Sequence, residues 1–322
     1  MERAQRGLAQ APGQHYSGRV ETVDGSVFEV DLDLSRAGVA TGTITAGELS
    51  IPYYGVRGMV FIRAPKSYWV AKGWVDIHAE RLAEQWSKVP PDHFGVDFTS
   101  ELAPERFAAG LYDGGLVLVG ATVEIDGRGS VPIKSGAYTV YLSPRSDLPV
   151  ITRIVVAQQH SMNQRLKTLT LDISALTTDH VRAMFDRMTG VGRSELVSAR
   201  SGEVRVEWSG ETEMDPCGQY SCVVTTKLSS TPTDPAIHIE SVQVTVDFTF
   251  DVDGISAGVC HQQIQLPGSG SGTATCTGHY VIPADGLEHS WNVLIKLDWR
   301  ALGDPEVEHI VQVIADQNVA LR

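Results

Sequence analysis

The side chains best suited to chemistry are four cysteines and ten histidines. Cys217, Cys222, Cys260 and Cys276 all fall in the last third of the chain. An even number of thiols in one Ser/Thr-rich region reads as two disulfides, which persist in an oxidising compartment. Of the three possible pairings, the local one, Cys217–Cys222 with Cys260–Cys276, is expected. Closing the second loop, of about 15 residues, is worth roughly 3 kcal/mol in the chain-entropy picture. Zinc is the competing use, with Cys217, Cys222, Cys276 and His279 as ligands. Its Cys-x4-Cys spacing is wide for a knuckle, and Cys-x2-His is half of the usual pair. Free buried thiols are the third option. Disulfides and no metal are therefore predicted.

The histidines form no HExxH and no other close ligand pair. His261 and His279 are expected as surface residues beside a disulfide. Asp251–Gly254 (DVDG) opens like a calcium loop, but its twelfth position is Gln262 and it lies between strands, so a hairpin turn is predicted. The GSGSG stretch from Gly268 to Gly272 precedes neither a helix nor Lys-Ser/Thr, which makes it a turn and not a phosphate cradle. No Gly-x-Ser-x-Gly elbow is present. The acid pairs Asp31/Asp33 and Glu306/Glu308 sit on polar faces. No nucleophile stands beside a base, so neither an enzyme nor a cofactor is expected.

The elements that position these residues divide the chain. At 322 residues it exceeds one ordinary core, and two domains are the prior. Apolar residues at 42% and charged residues at 20% describe globular protein. The net charge of -13 is concentrated after Gly190: 7 Lys+Arg stand against 18 Asp+Glu there, compared with 19 against 21 before it. An acidic surface repels phosphate and argues against nucleic acid. No apolar run is long enough for a membrane helix. Met1–Gln14 is polar and does not read as a signal peptide. Membrane attachment is expected only through an anchor outside this chain.

Val27–Leu34 (VFEVDLDL) places Phe28, Val30, Leu32 and Leu34 on one side of a strand and three acids on the other. With VATGTIT, ELSIPYYGV and MVFIR it forms an antiparallel meander from Val20 to Arg63, turning at Arg57-Gly58. A helix capped by Asp76 is predicted to carry Ala79, Leu82, Ala83 and Trp86 on one face. A short helix follows from Pro104, with Phe107, Ala108 and Leu111. A second meander runs from Leu116, with Val119, Ala121, Val123 and Ile125 alternating, through Val131–Lys134, Ala137–Ser143 and Val150–Ala157 to Leu169, Leu171 and Ile173. Thr177 or Thr178 caps a helix with Val181, Met184, Phe185 and Met188, stopped at Gly190. From Glu203 the texture is nearly all strand, including EVRVEW, Val242–Phe250 and Trp291–Leu297, with turns between. That pattern predicts a β-sandwich.

The segment Ser17–Ile173, about half the chain, resembles the actinobacterial lipoproteins of the LppX/LprG type, which are related in architecture to the lipoprotein carrier LolA. The resemblance rests on GVATGTITAGE, on VRGMVFIRAPKSYW from Val56 to Trp69, and on the strand set from Val131 to Val156. It implies a curved half-barrel sheet with helices on its concave face, enclosing an apolar cavity for acyl chains. Two features depart from that family: the lipid-modified N-terminal cysteine is missing, and a second domain is added. The C-terminal part resembles β-sandwich modules of extracytoplasmic actinobacterial surface proteins and polymorphic toxins.

The expected fold is therefore α+β: a half-barrel sheet with helices on one face over residues 15–190, then a disulfide-bonded, Ig-like all-β sandwich over residues 200–322. The expected function is non-enzymatic and extracytoplasmic: binding an acyl chain, lipid or other apolar molecule. Phe28, Val30, Leu32, Ile51, Tyr53, Phe61, Trp69, Leu82, Trp86, Val140 and Leu142 are the predicted lining. The alternative is a structural, adhesive or toxin-delivery scaffold with no small ligand, whose acidic C-terminal domain docks a protein partner.

Overall fold

The computed structural model describes residues 1–111, 116–144, 149–156, 166–210, 212–236, 238–282, 288–301 and 304–321. The chain is α+β and divides into two compact units, Met1–Leu196 with Glu306–Arg322, and Val197–Pro305. The second unit thus ends at Pro305, and the C-terminal residues predicted to belong to it group with the first.

In the first unit the elements are α1 (Glu2–Gln10), β1 (Gly13–Thr22), β2 (Val27–Ser35), β3 (Val39–Ala46), β4 (Leu49–Val56), β5 (Met59–Arg63), α2 (Lys66–Ala71), α3 (Asp76–Leu82), β6 (Trp86–Val89), α4 (Phe98–Glu101), α5 (Pro104–Gly110), β7 (Leu116–Leu118), β8 (Val123–Ile125), β9 (Arg128–Ser135), β10 (Tyr138–Ser143), β11 (Val150–Val156), β12 (Leu166–Leu176) and α6 (Thr178–Ser194). The strands form an antiparallel sheet in the order β6-β5-β4-β3-β2-β1-β12-β11-β10-β9-β7, with β8 also on β9. This order does not close into a barrel.

Several local expectations are corrected. The helix from Asp76 ends at Leu82, because Glu84 turns to a left-handed φ of 55°. Trp86 consequently lies on a strand and not on that helix. Helix α6 is capped by Thr177, whose side chain accepts from the His180 amide at 3.2 Å. It runs past Gly190 to Ser194, and Gly192 faces Val311 too closely for a larger residue without adjustment. The polar N-terminal stretch contains α1, which buries Ala4 and Leu8.

Helices also cover both faces of the sheet, where one face was predicted. Opposed residues of an antiparallel pair share a face, and successive residues alternate. Phe28 on one face meets Phe94, ahead of α4, at 5.4 Å between ring centroids. Asp33, of opposite parity on the same strand, bonds His180 of α6 at 2.7 Å. At its other end α6 is held where Glu195 accepts from Trp86 Nε1 at 2.7 Å and pairs with Arg63 at 3.7 Å. The physical reason for the second cover is that this face is apolar too at one end, through Val39, Val56 and Phe61, all fully buried. Helix α7 (Asp304–Ala320) packs beside α6, with Asn318 donating to Asp186 at 3.1 Å and Arg182 to the Leu321 carbonyl at 3.0 Å.

The second unit contains β13 (Arg200–Ser201), β14 (Val204–Trp208), β15 (Glu213–Cys217), β16 (Ser221–Pro232), β17 (Ser241–Val252), β18 (Ile255–Pro267), β19 (Gly270–His279) and β20 (Trp291–Arg300). One sheet runs β18-β17-β20-β13; in the other, β16 pairs with β14, β15 and β19. Val242, Val244, Val246, Phe248 and Phe250 of β17 are buried, as are Val224 and Leu228 of β16 and Ala274 of β19. Gly278 lies against the Phe250 ring, where a Cβ would come within 2.7 Å. The disulfides are the predicted ones, Cys217–Cys222 within a hairpin and Cys260–Cys276 between the two sheets, at separations of 5 and 16 residues. Loop-closure entropy makes the second the stronger constraint, about 3 against about 2 kcal/mol. The Asp251–Gly254 stretch is a hairpin turn, with Asp253 and Gly254 both at positive φ and the Gly254 amide donating to Asp251 Oδ1 at 2.8 Å.

Candidate functional site

The strands of the first unit organise an apolar surface by register alone. One row passes through directly opposed residues from Leu118 to Ile133, Val140, Ile154, Leu171, Gly18, Val30, Ile44 and Ile51. The neighbouring row includes Ile173, Tyr16, Leu32, Gly42 and Tyr53. None of the positions on this inner face of β1 to β5 is Asp, Glu, Lys or Arg. Glycines at two of the crossings permit close backbone approach. Gly18 and Gly42 have φ of 143° and 150°, and a Cβ on either would overlap a carbonyl oxygen of the adjoining strand. Only glycine tolerates that combination.

Short helical segments and their loops cover the middle of this face. Phe107 of α5 stands edge-on to Tyr16 at 5.6 Å. Phe94 meets both Phe28 and Tyr53, and Phe98 of α4 meets Tyr53 at 6.4 Å. His93 joins Phe94 to Trp69 of α2 and bonds the Tyr68 hydroxyl at 2.9 Å. Burial holds His93 far below its usual range, to about 3, so this ring is neutral at physiological pH. The same desolvation raises the phenols of Tyr16, Tyr53 and Tyr68. Among the described residues, the buried donors on this side that have no hydrogen-bond partner include Tyr16 Oη and Trp69 Nε1. A buried polar group left unpaired costs about 1–3 kcal/mol.

Most of the predicted lining converges here. Phe28, Val30, Leu32, Ile51 and Tyr53 share the inner face with Val140 and Leu142 of β10. Trp69 joins them through His93 and Phe94, and Leu82 lies on α3, which packs with α2. Phe61 and Trp86 do not join the set. Phe61 opposes Tyr54, and Trp86 stacks on Tyr54 at 4.6 Å, so both belong to the opposite face, beneath α6. All eleven side chains are at most 7% exposed. A shallow open cavity of about 440 Å³ between α1 and α5, lined by Gln5, Ala9 and Ala108 among others, contains none of them. The sequence reading missed Phe94, Phe98, Phe107 and Tyr16; the run His93-Phe94 followed by Phe98 was an available signal, since aromatics between two short helices seldom stay in water.

The opposite face carries the charged groups. Asp33 accepts from His15 at 2.9 Å and His180 at 2.7 Å. The bond to Asp33 raises His15, reinforced by Asp31 and Asp126. Burial opposes ionisation of Asp33, but the two histidines outweigh it and hold this carboxyl below its usual range. A row from Arg153 through Asp172, Ser17 and Asp31 to Thr43 lies beside it. His261 in the second unit bonds Asp247 at 2.7 Å and is exposed. Among the described residues no group of three or more His, Cys, Asp or Glu could hold a metal ion. No described helix is long and apolar enough to cross a membrane.

No protein-family model matches this chain, and no curated protein matches it. Among solved structures, a chain of the Pseudomonas aeruginosa MucA/MucB complex is similar at 13% identity and a TM-score of 0.24, over 86% of this chain and 92% of that one. A likeness at that level carries no argument about fold or function.

Proposed function

We propose that this chain is an extracytoplasmic binding protein that takes an apolar molecule, an acyl chain or lipid, on the inner face of its first sheet and performs no chemistry on it. The sheet is read as a LolA-like half-barrel curved around its short helices, and the second unit as a β-sandwich. Two disulfides in the second unit favour an oxidising compartment.

The observation that carries this reading is the pairing of a charge-free apolar face with two buried donors, Tyr16 Oη and Trp69 Nε1, that lack partners among the described residues. Burial of hydrocarbon supplies the affinity, at about 25 cal/mol per Å² before ordering costs. Donors of this kind orient a carboxyl or ester oxygen. The helices that would have to move are only 4 to 7 residues long, and segments of one or two turns have little stability of their own.

The second reading, a packed scaffold with no small ligand, draws on the near-complete burial of all eleven predicted side chains. The test is uptake of cis-parinaric acid by the full chain, with mass spectrometry of lipid extracted from the purified protein. Saturable uptake, weakened in Trp69→Phe and Tyr16→Phe, is expected. No uptake and no extracted lipid favour the scaffold.

A further inference from the structure

We propose that one end of the second unit, built around Tyr220, Tyr280, Val281 and Trp291, docks a Lys/Arg-rich segment of a partner protein. The hairpin of β15 and β16 turns there, with Cys217 and Cys222 directly opposed across it and joined as a disulfide. Within the tip the Gly218 amide donates to the Ser221 carbonyl at 2.8 Å. The tip is also tied to the chain leaving β19. The Tyr280 amide donates to the Tyr220 carbonyl at 3.0 Å, the Ile282 amide to the Gln219 carbonyl at 3.0 Å, and the Gln219 side chain to the Ile282 carbonyl at 3.1 Å. The backbone is thus held from two sides, yet Tyr220 is 64% exposed and Val281 78% exposed. Beside them Tyr280 meets Trp291, the first residue of β20, at 4.6 Å between ring centroids, and both are half-buried.

Charge identifies the partner. From Val206 to Ile295 the chain has eleven Asp and Glu but a single Lys or Arg, Lys227. Lys227 opposes Thr273, six residues along β16 from Ser221 and so about 20 Å from the tip. Lys296 is five residues, about 17 Å, along β20 from Trp291. The acids stand closer. Glu213 and Asp215 are exposed on the first arm of the hairpin. Val252, directly opposite Trp291, lies between Asp251 and Asp253. The His289 ring bonds Asp253 at 2.6 Å and holds its carboxyl below the usual range, so Asp253 is ionised at neutral pH.

Aromatic faces beside carboxylates attract ammonium and guanidinium groups. Tyr and Trp held rigidly in advance cover a large area at little ordering cost, which is why they dominate protein interfaces. The same acids exclude the other occupants. Nucleic acid and anionic lipid are repelled. A second copy docking by this end would bring like charges together. A neutral partner would desolvate the carboxylates without a counter-charge. A basic segment meets both the rings and the acids, and this contact does not depend on the apolar binding function proposed above.

The test is calorimetric titration of the full chain with a capped peptide of alternating Gly and Arg, with Gly-Glu and Gly-Ser peptides as controls. Wild type is compared with Tyr220→Ala and Tyr220→Phe. Tyr220 is mostly exposed, so folding is preserved, and matching thermal unfolding curves verify this. Binding of the Gly-Arg peptide alone is expected, weaker by about tenfold in Tyr220→Ala and unchanged within about twofold in Tyr220→Phe. Affinity should also fall as salt is raised. The proposal is overturned if the Gly-Arg peptide does not bind, or if either control binds as well. Equal affinity in Tyr220→Ala overturns it in favour of diffuse attraction to an acidic surface. A Tyr220→Phe variant as weak as Tyr220→Ala, or an affinity indifferent to salt, removes the aromatic–cation basis and overturns it as well.

Discussion

The two faces of the first sheet are built from the same strands, yet they solve different problems. The inner face is apolar along its rows and roofed by short segments rich in aromatic rings. The outer face is divided: one end is apolar and lies under the seventeen-residue helix α6, and the rest is wet and charged. Helix α6 is pinned by polar groups at both ends, His180 to Asp33 and Glu195 to Trp86. The inner cover rests on ring contacts instead. The contrast shows where movement is cheapest. Opening the inner roof breaks apolar contacts among one- and two-turn helices, whereas lifting α6 breaks a long helix with charge-assisted bonds at each end.

The largest effect expected from disturbing this contrast comes from the strands both faces share. Gly42→Ala places a methyl group against the Asp31 carbonyl at a φ of 150°. It should destabilise the first unit by about 4 kcal/mol or more, because backbone cannot yield as a side chain can. Urea denaturation followed by tryptophan fluorescence checks it; a cost below about 1 kcal/mol would mean the strands do not approach so closely. Next come matched truncations of the two covers. Phe107→Ala on the inner side and Phe185→Ala on α6 are both fully buried sites, and each should cost about 3–5 kcal/mol. A Phe185→Ala cost within about 0.5 kcal/mol would return the outer face to solvent and restore a sheet with helices on one side.

How much of this was legible depends on whether one face or two were covered. Val27–Leu34 alternates because its outer side is wet, so its inward residues were identified correctly. MVFIR does not alternate, since α6 covers the outer side there, and Phe61 could not be assigned to a face from sequence. The spacing Leu82, Ala83, Trp86 reads as helix, but strand β6 is completed by pairing with β5, a long-range contact that local periodicity does not encode. Helix α7 was readable: Val307, Ile310, Val311 and Ile314 have helical spacing, and all four are buried. Its neighbourhood of strands masked it. The disulfides were legible because short loops limit the geometry. The exposure of Leu116–Val119 was not, because the segment lacks the charge or proline that usually marks an edge strand and so reads as a buried one.

Two smaller predictions use the histidines, whose shifts oppose each other across the sheet. His93, on the inner side, stays neutral in the fold down to about pH 3, whereas an unfolded histidine protonates below about 6.5. Unfolding therefore takes up a proton, and stability falls as pH drops below 6.5, by about 2 kcal/mol at pH 5. His93→Gln should flatten that slope. An unchanged slope between pH 7 and 5 would mean that His93 is solvated, and with it the inner roof.

On the outer face the sign is different. The raised His15 value means that its bond to Asp33 contributes fully below about pH 6.5 and is lost as pH rises through the folded value. The lowered Asp33 value means that the carboxylate contributes above its unfolded value of about 4 and is lost as pH falls through the folded one. The clamp is thus strongest between roughly pH 4 and 6.5, the interval over which His93 is weakening the opposite side. Asp33→Asn removes the charge that strengthens both bonds. Because His15 and His180 are partly exposed, solvent screens the pair, and the cost should be only about 1 kcal/mol. The local readout is sharper than the global one. Amide exchange in the first turn of α6 should accelerate, and the His15 ring should titrate at a lower pH, while exchange around Phe94 and Phe98 stays unchanged. Faster exchange on both sides together would show that the faces are not independent, and that opening the inner roof also requires α6 to loosen.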